Sequence, residues 1–435
     1  MVRLARLASE CDGVPSELQE VAAGCELDWL QLDYVRPRVV TVSGRAPAEL
    51  PTHASGFGEA LRVLGKTLFL DPQLHIAASA GWDDAYGCVE QAAAVLVEAG
   101  CGELPMAAVR GSNLRPVLEM LVPAGVDLRN VETGARWKEM REPILAADLH
   151  VGAGPLATAM AEGARVVVAG CFDASAPLTA AAVHEHGWHW HDFQRLAGAA
   201  IAARAAAWSD WLLEGDPAEI EFISASSARW VEVDAYGSSI VDLGRKAGET
   251  IVGSVSEYLT SGTAEKNGLS PDVRPGAFSV KPASDCQLRI DGCAGQASDG
   301  CWDLEILFQS GYAAEALVGF TPQATERARR QIAAAARQCL DDDGRSEGIV
   351  TVESLGSLNS SDETGWLHLA CQSRSRSVCQ RFVEQTVRLI AAHPALVRFA
   401  AGRPAVHAHC GRWPARVPRD AVDIAVETRT AKEWQ

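Results

Sequence analysis

Asp148-Leu149-His150-Val151-Gly152-Ala153-Gly154-Pro155 opens the stretch that decides the fold. An apolar run from Leu145 to Val151 reads as a strand, and Leu156 to Gly163 reads as the helix that follows. Arg165 to Ala169, with three consecutive valines, is the next strand. Gly170-Cys171-Phe172-Asp173-Ala174-Ser175-Ala176-Pro177 then leads into a helix from Leu178 to His186, and an Ala-rich helix is expected over Asp192 to Leu213. Strand, helix, strand, helix, with strands too uniformly apolar to have a wet face, is the pattern of a parallel sheet covered on both sides.

The same alternation extends towards the N-terminus. Leu27 to Val35, Val39 to Val42, Leu74 to Ser79 and Pro105 to Arg110 read as strands. Ala60 to Leu70, Ala85 to Ala99 and Leu114 to Leu121 read as helices. Beyond Asp216-Pro217 the character changes: Trp230 to Val233 and Leu304 to Phe308 are strand-like pieces between Gly/Ser/Asp-rich turns, and Ser261 to Pro275 reads as a loop. Thr325 to Leu340 and Val378 to Ala392 are helical, and Gly348 to Ser354, Trp366 to Cys371 and Val406 to Cys410 are strands. The expected class is α/β: a mostly parallel N-terminal sheet with helices on both faces over 1–217, a smaller α+β domain over 218–425, and a loose tail over 426–435.

Composition bounds the function. The 435 residues suffice for a large core, and a net charge of -17 argues against nucleic acid or an anionic membrane surface as partner. No apolar run reaches the roughly 18 residues of a membrane span. Twelve cysteines fit no zinc knuckle: Cys286, Cys293 and Cys301 lie seven and eight apart, as Cys371 and Cys379 lie eight apart. Arg3 and Arg6 are followed by no apolar core, so neither a secretory leader nor a disulfide framework is expected, and the location expected is cytoplasmic.

In an open α/β sheet, ligands bind beyond the carboxyl ends of the strands. That principle selects Asp148, His150 and Asp173 as acid/base candidates on two strands able to be neighbours. Gly152 and Gly154 would admit an anion to a helix N-terminus, although Pro155 suits a plain helix start equally well. Ser79, Gly81, Asp83 and Arg110 lie on the other strand-end loops as ligand-binding candidates. Asp83 and Asp84 fit either a cation or the N-cap of the helix at Ala85, with the cap the commoner use. His184, His186, His189 and His191 crowd a helix end without forming the HExxH zinc motif; they read as polar surface or as a metal site across a turn. The sequence contains no GxGxxG, phosphate-binding P-loop or GxSxG motif, and it names no cofactor and no metal.

Together these pieces resemble the acyclic terpene utilisation AtuA family. The resemblance rests on Leu27 to Leu30 with Asp33-Tyr34, Ala146 to Pro155, His186 to Ala197, Tyr258 to Thr260 with Ser270 to Val273, Gly311 to Glu315, Gly402 to Pro404 and Trp413-Pro414 with Pro418-Arg419. It covers nearly the whole chain. It implies a setting in the breakdown of branched isoprenoid acids or their acyl-CoA thioesters, although the family's own reaction is unassigned. The departures bear on chemistry. Asp148 and His150 stand where relatives carry Asn and Tyr, and Thr158 stands for Glu. Gly170 to Ser175 has lost the Arg of a Gly-Arg-Val-x-Asp-Pro motif. Ala8 to Val14 replaces a Gly-rich loop, Ser79 to Gly81 replaces an Asn-containing turn, and the ferredoxin-like module of many relatives is not expected here. His186 and His191 occupy positions usually held by Phe and Asp. Three readings follow: an enzyme of organic acid or acyl-CoA catabolism, a catalytically degenerate relative that binds a metabolite or partner subunit, and a metal-dependent hydrolase using His184 to His191. The oligomeric state stays open.

Overall fold

The computed structural model describes residues 1–37, 39–41, 50–207, 230–243, 249–264, 270–321, 323–341, 348–355 and 365–435. The helix end expected at Leu213 and the boundary at Asp216-Pro217 fall outside these residues.

The centre of the molecule is a run of five parallel strands in the order Val2–Glu10, Trp29–Val35, His75–Ser79, Val166–Ala169 and Pro105–Arg110. Among the described residues these belong to a ten-stranded sheet whose outer strands are antiparallel. Alternate side chains point to opposite faces, and both faces are apolar. Leu30, Leu32, Ile76, Ala78 and Val168 pack under the helices Gly56–Leu70 and Ala85–Glu98. Trp29, Ala77, Val109, Val167 and Ala169 pack under Ala153–Ala161, Ala176–His186 and Phe193–Ala206. The α/β class read from the alternation is what the chain adopts.

A second sheet surrounds the long strand Cys301–Phe320, which pairs on one flank with Val406–Pro418. Its other flank pairs first with Ile144–Val151 and then, past a break, with Trp366–Ser373. Ile144–Val151, which the alternation assigns to the parallel sheet, belongs here instead. At Gly170 the chain crosses from one sheet to the other: Val166–Ala169 lies in the first, and Cys171–Phe172 runs parallel to Ile144–Val151. Only glycine fits there, because a Cβ would stand 2.3 Å from Ser112 Oγ and 2.9 Å from the Trp82 carbonyl.

Other expectations need correcting. The strand read as Leu304 to Phe308 runs from Cys301 to Phe320. The loop read over Ser261 to Pro275 begins inside the helix Glu249–Ala264 and ends in the strand Val273–Pro275. The helix at Leu114 shrinks to Leu118–Leu121, because Pro116 disfavours helical backbone at the residue before it. Residues 230–233 and 239–242 extend the first sheet beyond Val2–Glu10, and Gln287–Asp291 and Ser279–Ser284 continue it. The tail over 426–435 is no tail: Ala425–Thr430 pairs with Pro105–Arg110, and Trp434 is buried with its indole donating to the Met106 carbonyl.

Candidate active site

Trp29–Val35 ends at a buried cation. Arg36 is 8% exposed, and its guanidinium reaches three parts of the chain. Nη1 donates to both carboxylate oxygens of Asp148 at 2.9 Å, while Nη2 donates to Asp83 and to the Pro51 carbonyl at 3.1 Å. Buried charges persist only when paired and hydrogen-bonded, and this group joins the end of the first sheet to Ile144–Val151 of the second. Burial pushes the Asp148 carboxyl up, with Arg36 opposing the rise. Among the described residues, Arg36 Nε and Asp83 Oδ1 are buried without a hydrogen-bond partner.

Two residues further along, on the same strand face, stands His150, half-buried. Its ladder partners are Asp303 on the long strand and Cys171 on the short one. Asp148, Asp173 and Asp303 each lie within electrostatic range of the imidazole. Burial raises both Asp303 and Asp173; Arg416 opposes this first at Asp303, and hydrogen bonds from Ser175 do so at Asp173. Asp173 accepts from the Ser175 backbone at 2.9 Å and from its hydroxyl, just before the helix Ala176–His186. Its own backbone N–H bonds to the Val151 carbonyl, so the expected neighbourhood of the two strands is real. Glu305 and Arg412, paired with each other, continue the wall beyond Asp148. The Cys171 thiol is also raised by burial, which withholds the thiolate form that a nucleophile requires.

The remaining candidates divide. Gly152 does precede a helix N-terminus, but the anion there is the chain's own Asp272, whose Oδ2 accepts from Ala153 N at 2.7 Å. Asp272 is held in turn by Arg419 at 3.1 Å. A Cβ on Gly152 would lie 2.4 Å from Asp272 Oδ1, whereas Gly154 faces open space. Ser79 is buried in register with Asp33 and Ala169. Gly81 serves packing, since a Cβ would meet Ala85 at 2.6 Å. The aspartate pair splits: Asp84 caps its helix by accepting from Gly87 N, and Asp83 pairs with Arg36. Arg110 is exposed over the Tyr86 ring and does not join Arg36.

The histidine cluster is not assembled into a ligand set. His184, His189 and His191 are exposed, and His186 Nε2 lies 3.2 Å from the Val233 carbonyl. Among the described residues no three His, Cys, Asp or Glu side chains form a group able to hold a metal. Sequence reasoning passed over Arg36, Asp272, Asp303 and Arg416. The only signal for Arg36 was an arginine placed directly after an apolar strand and before Pro37.

Comparison with known proteins gives a single family. The model described as acyclic terpene utilisation family protein AtuA matches residues 2–428, and the chain belongs to that family. Membership supports a role in acyclic terpene utilisation at the level of the family. No curated protein and no solved structure matches the chain.

Proposed function

We propose that this AtuA-family chain is an enzyme acting on a branched organic acid or its CoA thioester, with His150 as the group that takes and returns a proton. The observation that carries the proposal is the position of His150: half-buried on the polar face of the second sheet, with Asp148, Asp173 and Asp303 around it. An imidazole at the edge of a buried polar wall can reach both substrate and solvent, and imidazole is the side chain suited to taking and returning a proton. Asp148 itself is committed to Arg36 through both oxygens, so its role is to hold the wall in place. Asp303 and Asp173 are the orienting carboxylates. A cytoplasmic setting belongs to this proposal; no helix among the described residues is long and apolar enough to cross a membrane.

Two observations favour a second reading, that of a metabolite-binding relative without turnover. The acid expected at Asp148 is neutralised, and the helix N-terminus after Gly152 is already filled by Asp272. A thermal-shift panel of acyl-CoA thioesters and free branched acids tests both. A ligand at about 100 times its Kd adds roughly 2.7 kcal/mol to the folded state. Stabilisation that persists in His150→Ala, with turnover abolished, supports the enzyme. Stabilisation without turnover in the native chain supports the binding protein, and no stabilisation by any of the panel contradicts both.

A further inference from the structure

We propose that a cavity at the fork of Cys301–Phe320 is a second ligand site, built for the oxyanion end of a small organic molecule. It stands independently of the His150 reading. The long strand changes partner on one flank, from Ile144–Val151, which pairs as far as Phe308, to Trp366–Ser373, which pairs from Tyr312. Gln309 N–H still donates to the Pro143 carbonyl at 2.9 Å; beyond it the flank opens, and a bulge between Gln309 and Gly311 takes Ser310 out of the ladder. A cavity of ≈ 360 Å³ fills this gap, within the size range of small-molecule sites. Its polar lining is Arg141, Glu142, Gln309, Ser310, Tyr312 and Arg374.

The charges there are weakly engaged. Arg374 is 82% exposed and reaches Glu142 only at 3.8 Å. The described contact of the Arg141 guanidinium is to its neighbour, the Met140 carbonyl, at 3.1 Å. The lining thus holds two guanidinium groups and one carboxylate, a local cationic excess on a chain of net charge -17. Guanidinium donors match the geometry of carboxylate and phosphate oxygens.

Ser310 adds a neutral donor. Its Oγ lies 2.8 Å from His409 Nδ1 and 3.1 Å from the His409 carbonyl. With the hydrogen on Nδ1, the imidazole donates to Oγ, and the hydroxyl proton can turn from the carbonyl to an anion in the cavity. Close packing fixes this end of the cavity, since a Cβ on Gly311 would stand 2.6 Å from the Ser373 carbonyl. The site lies at the opposite end of Ile144–Val151 from His150, roughly 20 Å away at ~3.3 Å per residue.

The test is ligand-observed saturation-transfer NMR on the full chain, with succinate as the carboxylate probe and methylphosphonate as the phosphate-like one. We expect transfer to at least one probe, lost in the Arg141→Ala, Arg374→Ala double variant and weakened severalfold in Ser310→Ala. Transfer to succinate alone assigns a carboxylate ligand, and transfer to methylphosphonate alone assigns a phosphate. Absence of transfer to both probes overturns the proposal, as does transfer that survives in the double variant. Thermal unfolding of both variants verifies that each is folded.

Discussion

At one end of Ile144–Val151, Arg36 gives Nη1 and Nη2 to Asp148, Asp83 and the Pro51 carbonyl. At the other end, Arg374 reaches Glu142 only at 3.8 Å, and the Arg141 guanidinium meets the Met140 carbonyl. The residue types are the same and the surroundings opposite. A buried arginine has to be satisfied by the protein, since desolvation makes an unpaired charge ruinous, whereas an exposed one remains hydrated until a ligand arrives. His150 lies between these extremes: half-buried, flanked by carboxyls, and not locked in a two-oxygen clamp as Asp148 is. Burial with both terminal nitrogens paired therefore suits a structural part, and partial burial with neighbours in reach suits the chemistry proposed for His150.

The largest effect should come from breaking the committed pair. Arg36→Met leaves Asp148, 5% exposed, without its cation, and should cost about 3–5 kcal/mol in denaturant unfolding. Adding Asp148→Asn should recover part of that loss; a cost below about 1 kcal/mol would show that the clamp does not hold the sheets together. Gly152→Ala comes next. Its Cβ would push on Asp272, which Ala153 N and Arg419 hold in place, so a loss of about 1–3 kcal/mol is expected by the same assay.

A smaller, pH-dependent effect is expected at Asp173. Burial raises its carboxyl above the ordinary 3.8, so the folded state binds that proton more tightly than the unfolded chain. The ionisation penalty is fully present above the folded value and fades as pH falls through it towards 3.8. Native stability relative to Asp173→Asn should therefore rise on going from neutral towards about pH 4. Melting curves across that range decide, and a difference that falls with acidification contradicts the assignment. The smallest effect belongs to the loosely engaged end: Arg374→Ala should change stability by no more than about 0.5 kcal/mol. A larger loss would mean that its charge is already in structural use.

Much of the first sheet was legible because period and apolar runs survive in the text: Pro105–Arg110 and Ala85–Glu98 fall close to where the pattern puts them. Val2–Glu10 escaped because Arg3 and Arg6 interrupt it; each is matched by a carboxylate, Glu232 and Asp33, on a neighbouring strand. The C-terminal strand escaped because Glu427 and Arg429 give it a polar look, while its stability rests on pairing with Pro105–Arg110 and on buried Trp434. At the site, the neighbourhood of His150 and Asp173 followed from strand ends alone. The long-range partners did not: Arg36 to Asp148 spans 112 positions, and Asp272 to Ala153 spans 119. Local pattern carries no trace of such pairs. The family model, which matches residues 2–428, bears out the resemblance read from the motifs.

In the proposed reaction, His150 moves a proton on a branched acid or its thioester. Its most direct test is incubation of the purified chain with a branched acyl-CoA in deuterated water, followed by mass spectrometry of the recovered thioester. Deuterium is expected at the carbon beside the carbonyl with the native chain and background incorporation with His150→Gln, both proteins melting at similar temperatures. Equal incorporation by the two would remove His150 from the chemistry, and none by the native chain would contradict the claim that this wall transfers protons.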